Sequence, residues 1–576
     1  MKRKFMSDPA TPTFRIGLAM AGAVSAGAYT AGVLDFLIEA LDAWSAAKAR
    51  GAPVPRHAVS LEAAVGASAG AMCAALLAIV LPYRFPYVRI APDGGANTDR
   101  DLPPAANPLY RAWVEAIDLR ALLGDADLAA GRLEALLDCT AIDAIVAASL
   151  AYSATPQPRP YVKRPFVARF TLGNLRGVPY RIDFLGNRPA SAEAMREHAD
   201  WRGFLIGGEP DPHALPPHLR GHLVLPEASV ADLPRWQMLG QAAAASGAFP
   251  LFLKPRLIER AAAEYGFRHA VTTPEGELQP IPPAWRDPQH PPDPYRFAAV
   301  DGGVFNNEPF ELARELIAGG PGRELASAPE AADAAVLMVA PFLSPPTDGP
   351  PPPTVPGDGQ DLALPPQAQL APLVDAWIMQ ARFKPADLAL AWDETEYSRF
   401  VVAPAGSKAP PQAPYAIAGG ALGGFLGFFH EAFRRHDYQL GRRNAQRFLA
   451  EHFTLPPDNP IVRWGYAQLS SSELDAFRSS DGQLPIVPLV GSVRVEEPPM
   501  DWPVGKLACD ILMSDIERRL DGVCALYRRQ LTAGENLLLR PLYRAGLAAA
   551  WQWFLRPRVL ELIRARLDEA LKQQGL

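Results

Sequence analysis

An α/β fold with a parallel central sheet is what this sequence predicts, and two stretches near its start carry the prediction. Phe14 to Met20 reads as an apolar strand; a loop, Ala21-Gly22-Ala23-Val24-Ser25-Ala26-Gly27, leads from it into a helix from Ala28 to about Arg50. A second apolar strand, Leu61 to Val65, runs into Gly66-Ala67-Ser68-Ala69-Gly70 and then a small-residue helix, Ala71 to Leu77. Strand, loop, helix and strand in that order make a βαβ unit, whose strands lie parallel. The helix is argued from Val33, Leu34, Leu37, Ile38 and Leu41 on one face and Gly51 as its stop.

Composition bounds the rest. With 576 residues, 49% apolar and 20% charged, the chain can bury a large core and is expected to hold more than one structural unit. A net charge of −6 gives no whole-chain bias toward nucleic acid, and no nucleic-acid partner is expected. Cys73, Cys139, Cys509 and Cys524 form no CxxC pair and read as reduced residues of a cytoplasmic chain, not as a disulfide frame or zinc site. No calcium-ligand pattern is present, so neither metal nor cofactor is expected. Lys2-Arg3-Lys4 and the later Ala19-Met20-Ala21 mimic a secretory signal, but Asp8, Pro9, Pro12 and Arg15 interrupt the apolar core such a signal needs. A frayed tail over 1–13 is expected instead, and no apolar run is long enough to span a bilayer.

Further along, Pro82 to Pro108 is a proline-rich connection, and helical patterns follow at Leu109–Leu123 and Arg132–Tyr152. The stretches from Phe166 to Leu172 and from Tyr180 to Leu185 read as two strands joined through Gly173-Asn174 and Arg176-Gly177. A small-residue helix from Trp236 to Ala248 ends in Ala245-Ser246-Gly247-Ala248-Phe249-Pro250. Phe297 to Val300 is a strand, followed by Asp301-Gly302-Gly303 and a helix from Pro309 to about Ala318. Ala335 to Val339 is a further strand, and Pro345 to Pro366 is a low-complexity, flexible connection. Beyond it, helices are expected over Leu370–Ala391, Gly420–His452, Lys506–Leu531 and Leu537–Gln574.

The chemistry sits in Gly66–Gly70. A G-x-S-x-G sequence between a strand and a helix is the setting of a nucleophile elbow: Ser68 occupies a strained turn, and a Cβ at Gly66 or Gly70 would collide as strand folds back on helix. Free N–H groups at the start of the following helix favour negative charge developing beside the hydroxyl. The plainer reading is a glycine–alanine turn that contains a serine, just as Asp301-Gly302 read alone is an ordinary turn. The loop after the first strand lacks the Walker and dinucleotide signatures, and another use of such a loop is an oxyanion hole.

Taken together, the elbow, the Ala245-Ser246…Pro250 stretch, Asp301-Gly302-Gly303 with Asn307 and Pro309, and Gly27-Ala28-Tyr29 with Gly32-Val33-Leu34 resemble the patatin-like phospholipase family over about the first 340 residues. The resemblance implies a three-layer α/β/α fold with a mostly parallel sheet, and a Ser68–Asp301 dyad hydrolysing acyl esters of lipids through an acyl-enzyme. It also implies a lipid ester substrate presented at a membrane or micelle surface. Asp301 would take the Ser68 proton without a histidine, which requires burial to raise a carboxyl from about 3.9. Gly22, Ala23 and Val24 would form the oxyanion hole. Family members carry successive glycines and a cation there; Ala23 and Val24 can serve if their φ is negative, and a positive φ would strain Val24 by about 1–3 kcal/mol. The expected organisation is a tail (1–13), a patatin-like catalytic domain (14–343), a proline-rich linker (344–366) and a mainly helical region (367–576).

Two rivals stand beside this. An α/β-hydrolase would use His430, His436 or His452, but in that fold several strands precede the elbow, and these histidines lie on an Arg- and Glu-rich helix that suits a solvated face. A patatin-like scaffold kept for lipid or protein binding would also explain the altered loop. Near the end, Trp551, Trp553 and Phe554 lie between Arg544 and Arg556, a composition suited to peripheral contact with the inner face of a membrane, or to packing the helical region onto the catalytic unit.

Overall fold

A computed structural model describes residues 11–99, 102–131, 133–182, 193–208, 215–228, 233–271, 278–342, 395–507, 509–533 and 540–576. Strands β1 (Thr13–Met20), β2 (Ala58–Gly66), β3 (Val162–Ile182), β4 (Glu193–Ile206), β5 (Leu223–Leu225), β6 (Arg256–Arg260), β7 (Tyr295–Asp301), β8 (Ala334–Val339) and β9 (Arg399–Val402) form one nine-stranded sheet. Its order is β9-β8-β1-β2-β3-β7-β6, with β4 paired to β3 and β5 to β4. From β9 to β3 neighbours run parallel, while β7 and β6 complete the sheet antiparallel. The chain is therefore α/β with a mostly parallel sheet.

The longer helices are α1 (Gly27–Ala49), α2 (Ala69–Val80), α3 (Thr140–Leu150), α4 (Pro234–Ser246), α5 (Phe310–Ala318), α6 (Glu431–Glu451), α7 (Cys509–Leu531), α8 (Arg540–Ala550) and α9 (Arg556–Gln574). They cover both faces of the sheet because its strands alternate with period two. On β1, Phe14, Ile16, Leu18 and Met20 join the core under α1 and α2, while Ala19 joins a second core with Phe310, Ala313 and Ile317 of α5. A Cβ on Gly17 would lie 2.6 Å from the Ile317 side chain, so α5 rests directly on this strand. Among the described residues one helical stretch, Val24–Ala49, is long and apolar enough to cross a membrane, and 94% of its apolar window is buried inside the protein.

Four expectations are corrected. The strand expected over 166–172 and the part of the one expected over 180–185 that is described, to Ile182, are one strand, β3, because β4 pairs along both halves with an irregularity between Gly173 and Val178. The helix expected over 132–152 forms only as α3; before it, the N–H groups of Leu136 and Leu137 bond the carbonyls of Leu251 and Phe252. The boundary expected at 343 does not divide the sheet, since β9 pairs in parallel with β8 and α6 lies in the core against α1. The linker expected at 344–366, the helix at 370–391 and the tail over 1–10 lie outside the described residues.

The histidine-bearing helix α6 is not a solvated face. Glycine lets the two backbones touch: a Cβ on Gly32 would meet the Tyr438 carbonyl oxygen at 1.9 Å, and one on Gly441 the Tyr29 oxygen at 2.1 Å. The charges that α6 buries are met by partners from other elements. Arg442 donates to Asp35, Glu39 and Glu497, and Asp437 accepts the N–H groups of Ala418 and Gly419 at 2.6 and 2.9 Å.

Candidate active site

Register brings three strand ends to one edge. Met20 pairs with Gly66 and Gly66 with Phe170, while Asp301 at the end of β7 pairs with Leu172, two residues further along β3. Ser68, two residues past Gly66, therefore meets Asp301 across β3. The elbow needs both its glycines: a Cβ on Gly66 would lie 2.4 Å from the Ala71 nitrogen, and one on Gly70 2.2 Å from the Met20 oxygen. Ser68 itself has φ +52° and ψ −124°, a strained conformation of the kind found at functional turns. Its N–H donates to the Ser246 hydroxyl at 2.9 Å, so the end of α4 fixes the turn.

The Ser68 hydroxyl donates to Asp301 Oδ2 at 2.6 Å, and Gly303 N–H donates to Asp301 Oδ1 at 2.7 Å. Both side chains are buried, Asp301 to 3% exposure and Ser68 to 8%. Burial pushes the Asp301 carboxyl up to about 7, against the hydrogen bonds from Ser68 and Gly303, which hold it down. A base with that pKa is half ionised at neutral pH and can accept the serine proton directly. Gly302 and Gly303 are sterically required: a Cβ on the first would meet Thr171 at 2.2 Å, and one on the second Asn307 Oδ1 at 2.6 Å.

The loop after β1 lies against the serine. A Cβ on Gly22 would come within 3.1 Å of Ser68 Cβ and 2.2 Å of Asn307 Oδ1. The Gly22 N–H is already given to the Asn307 carbonyl at 3.0 Å, and Asn307 Nδ2 donates back to the Gly22 carbonyl at 3.3 Å. Gly22 is thus a spacer clamped by Asn307 and not a free donor. Among the described residues the N–H groups of Ala23, Val24 and Ala69 donate to no acceptor. Val24 has φ +50°, the strained alternative that its side chain disfavours. The loop is held by Ser25, whose hydroxyl donates to the Gly424 carbonyl.

Ser68 opens onto an apolar cavity of about 110 Å³ lined by Val24, Met72, Ile79, Trp113, Phe249 and Phe428 among others. Among the described residues no charged side chain lines it, and the one other hydroxyl, Ser149, is spent on the Ile145 carbonyl at 2.7 Å. The histidines of the rival reading are engaged elsewhere. His430 Nδ1 accepts the Ala432 N–H, His436 Nδ1 lies 2.9 Å from Asp437, and His452 packs on Phe448. Among the described residues no group of three or more His, Cys, Asp or Glu is arranged to hold a metal.

Ser246 and Asn307 are parts of the site whose roles the residues alone did not give. Ser246 and Asn307 stood in recognisable stretches, yet what each binds lies 178 and 285 positions away.

A hydrogen-bonded Ser–Asp pair on a strand–turn–helix elbow, facing an apolar cavity at the edge of an α/β sheet, is the class of protein that fold and site define. No family model matches the chain. It is 39% identical to "Uncharacterized protein y4iI" of Sinorhizobium fredii (strain NBRC 101917 / NGR234), over 93% of this chain and 78% of that protein, and it belongs to that protein's family.

Proposed function

We propose that this chain is a lipid acyl hydrolase of the patatin-like kind, a serine esterase working through a Ser68–Asp301 dyad without metal or cofactor. The observation that carries the reading is the 2.6 Å hydrogen bond from Ser68 to a buried carboxyl raised to about 7. Ser68 Oγ attacks the ester carbonyl carbon as Asp301 takes its proton. The oxyanion receives the N–H groups of Ala23, Val24 and Ala69. Collapse breaks the ester bond, Asp301 returns the proton to the departing alcohol, and an acyl-Ser68 remains. Water then attacks the acyl carbon, gives its proton to Asp301 and releases the fatty acid; the proton returns to Ser68. The apolar cavity supports an acyl chain as the group bound beside the serine.

The test is a panel of phospholipid, lysophospholipid and neutral-lipid substrates with the wild type, Ser68→Ala and Asp301→Asn, each checked for folding by circular dichroism. Hydrolysis should fall by several orders of magnitude in both variants, and a fluorophosphonate should label the wild type but not Ser68→Ala. Near wild-type hydrolysis by either variant overturns the dyad. A folded wild type that neither labels nor hydrolyses supports the binding-scaffold reading instead.

A further inference from the structure

The C-terminal helices carry a surface that the reaction does not use. Between residues 526 and 558 the sequence holds six arginines and one glutamate, in a chain whose net charge is −6. The same stretch concentrates exposed large apolar side chains. Tyr527 and Leu531 lie one turn apart on α7, and Tyr543 and Leu547 one turn apart on α8. Trp553 is 78% exposed and Leu555 53% in the turn that follows. Arg529, Arg544 and Arg558 are exposed among them. The neighbouring Trp551 behaves differently: it is half-buried, and its indole N–H donates to Asp521 at 2.9 Å. The aromatic run therefore divides into one tryptophan that packs and one that faces outward; the Phe554 side chain lies outside the described residues.

Helix α7 is also bonded, through Leu136, to the segment that lines the cavity. Arg519 of α7 donates to the carbonyls of Leu136 and Gly124 at 2.8 and 2.7 Å. Leu136 in turn donates its N–H to Leu251, which is 79% exposed and lies between the cavity residues Phe249 and Leu253. Exposed aromatic and aliphatic side chains interleaved with arginine suit the boundary between headgroups and acyl chains. Arg556 is ion-paired with Glu517 and Asp521, whereas Arg529, Arg544 and Arg558 are exposed, and a positive outward charge on a molecule of net negative charge selects an anionic surface.

We propose that residues 526–531 at the end of α7, α8 and the Trp551–Leu555 turn form a docking surface for an anionic lipid bilayer. Electrostatics bring the arginines to the headgroups, and Trp553 and Leu555 insert beneath them. The binding does not depend on Ser68 being a nucleophile.

The test is co-sedimentation of the full chain with vesicles of phosphatidylcholine alone or mixed with phosphatidylglycerol, at low and high salt. Wild type should pellet with the mixed vesicles, stay in solution with phosphatidylcholine alone, and be released by salt as the charges are screened. Trp553→Ser/Leu555→Ser should keep the wild-type circular dichroism spectrum and lose binding by about tenfold or more. Arg529→Gln/Arg544→Gln/Arg558→Gln should weaken binding by up to about fivefold for each charge removed. Equal binding to both vesicle types, or wild-type binding by the folded serine variant, overturns the proposal. So does the absence of vesicle binding together with a concentration-dependent dimer that Trp553→Ser abolishes, which would make this face an interface between copies of the chain.

Discussion

Asp301 is the residue on which pH acts most directly. Its carboxyl ionises near 7, whereas an unfolded aspartate ionises at 3.8. As a base it must be deprotonated, so kcat/KM for a soluble ester should rise with pH through about 7 and then level off. The same shift acts on stability with a fixed sign. The folded state holds the proton more tightly than the unfolded one, so the contribution is fully present below about 3.8 and is lost as pH rises through about 7. Asp301→Asn keeps an acceptor for Gly303 and cannot ionise. It should therefore be more stable than wild type at pH 8, by up to about 4 kcal/mol, with the difference closing toward pH 4. Urea unfolding of both proteins across that range reads it. A gap that widens toward low pH would mean that Asp301 is not held protonated by burial. The sequence disclosed this residue only in company: Asp301-Gly302 alone is a turn, and what makes it a base is burial by strands that pair far from it in the chain.

At the scale of elements, two loops and an elbow have to be held in one place, and Asn307 does much of the holding. Its carbonyl and side chain grip both backbone groups of Gly22, while its Oδ1 sits where a side chain on Gly22 or Gly303 would go. Asn307→Ala should therefore lower kcat by about tenfold to a thousandfold with KM little changed, because it loosens donors that act on the transition state. A KM effect with kcat intact would place Asn307 in binding instead. Gly70→Ala is the harsher test of the elbow. Its Cβ would lie 2.2 Å from a backbone oxygen that cannot rotate away, so fluorophosphonate labelling should be lost. The elbow was readable in advance because a steric demand for glycine at two fixed positions leaves its mark in sequence. The strained loop was readable only as a condition on the φ of Val24.

For the whole molecule, the sequence misled where it was most polar. A helix bearing Arg434, His436, Asp437, Arg442 and Asn444 looks like a surface helix, and all five are buried. The pattern fails because its charges are neutralised by residues that no local window contains: Arg442 meets Asp35 across 407 positions, and Glu39 and Glu497 close the cluster. This pairing, the glycine contacts between α1 and α6, and the bond from Ser25 to Gly424 make the segment after residue 394 part of the same folded unit as Ser68 and Asp301. Two outcomes are expected. Arg442→Ala, which leaves buried Asp35 without its cation and Glu39 and Glu497 with Arg89 alone, should cost about 3–5 kcal/mol in chemical denaturation. A fragment ending at residue 343 should fail to fold, since it exposes the face of α1 that α6 covers and the edge of β8 that β9 pairs. The measurement is circular dichroism and fluorophosphonate labelling of the purified fragment. A cooperative unfolding transition with Ser68 still labelled would show that the first 343 residues are a domain in their own right, and that α6 and β9 are additions to it.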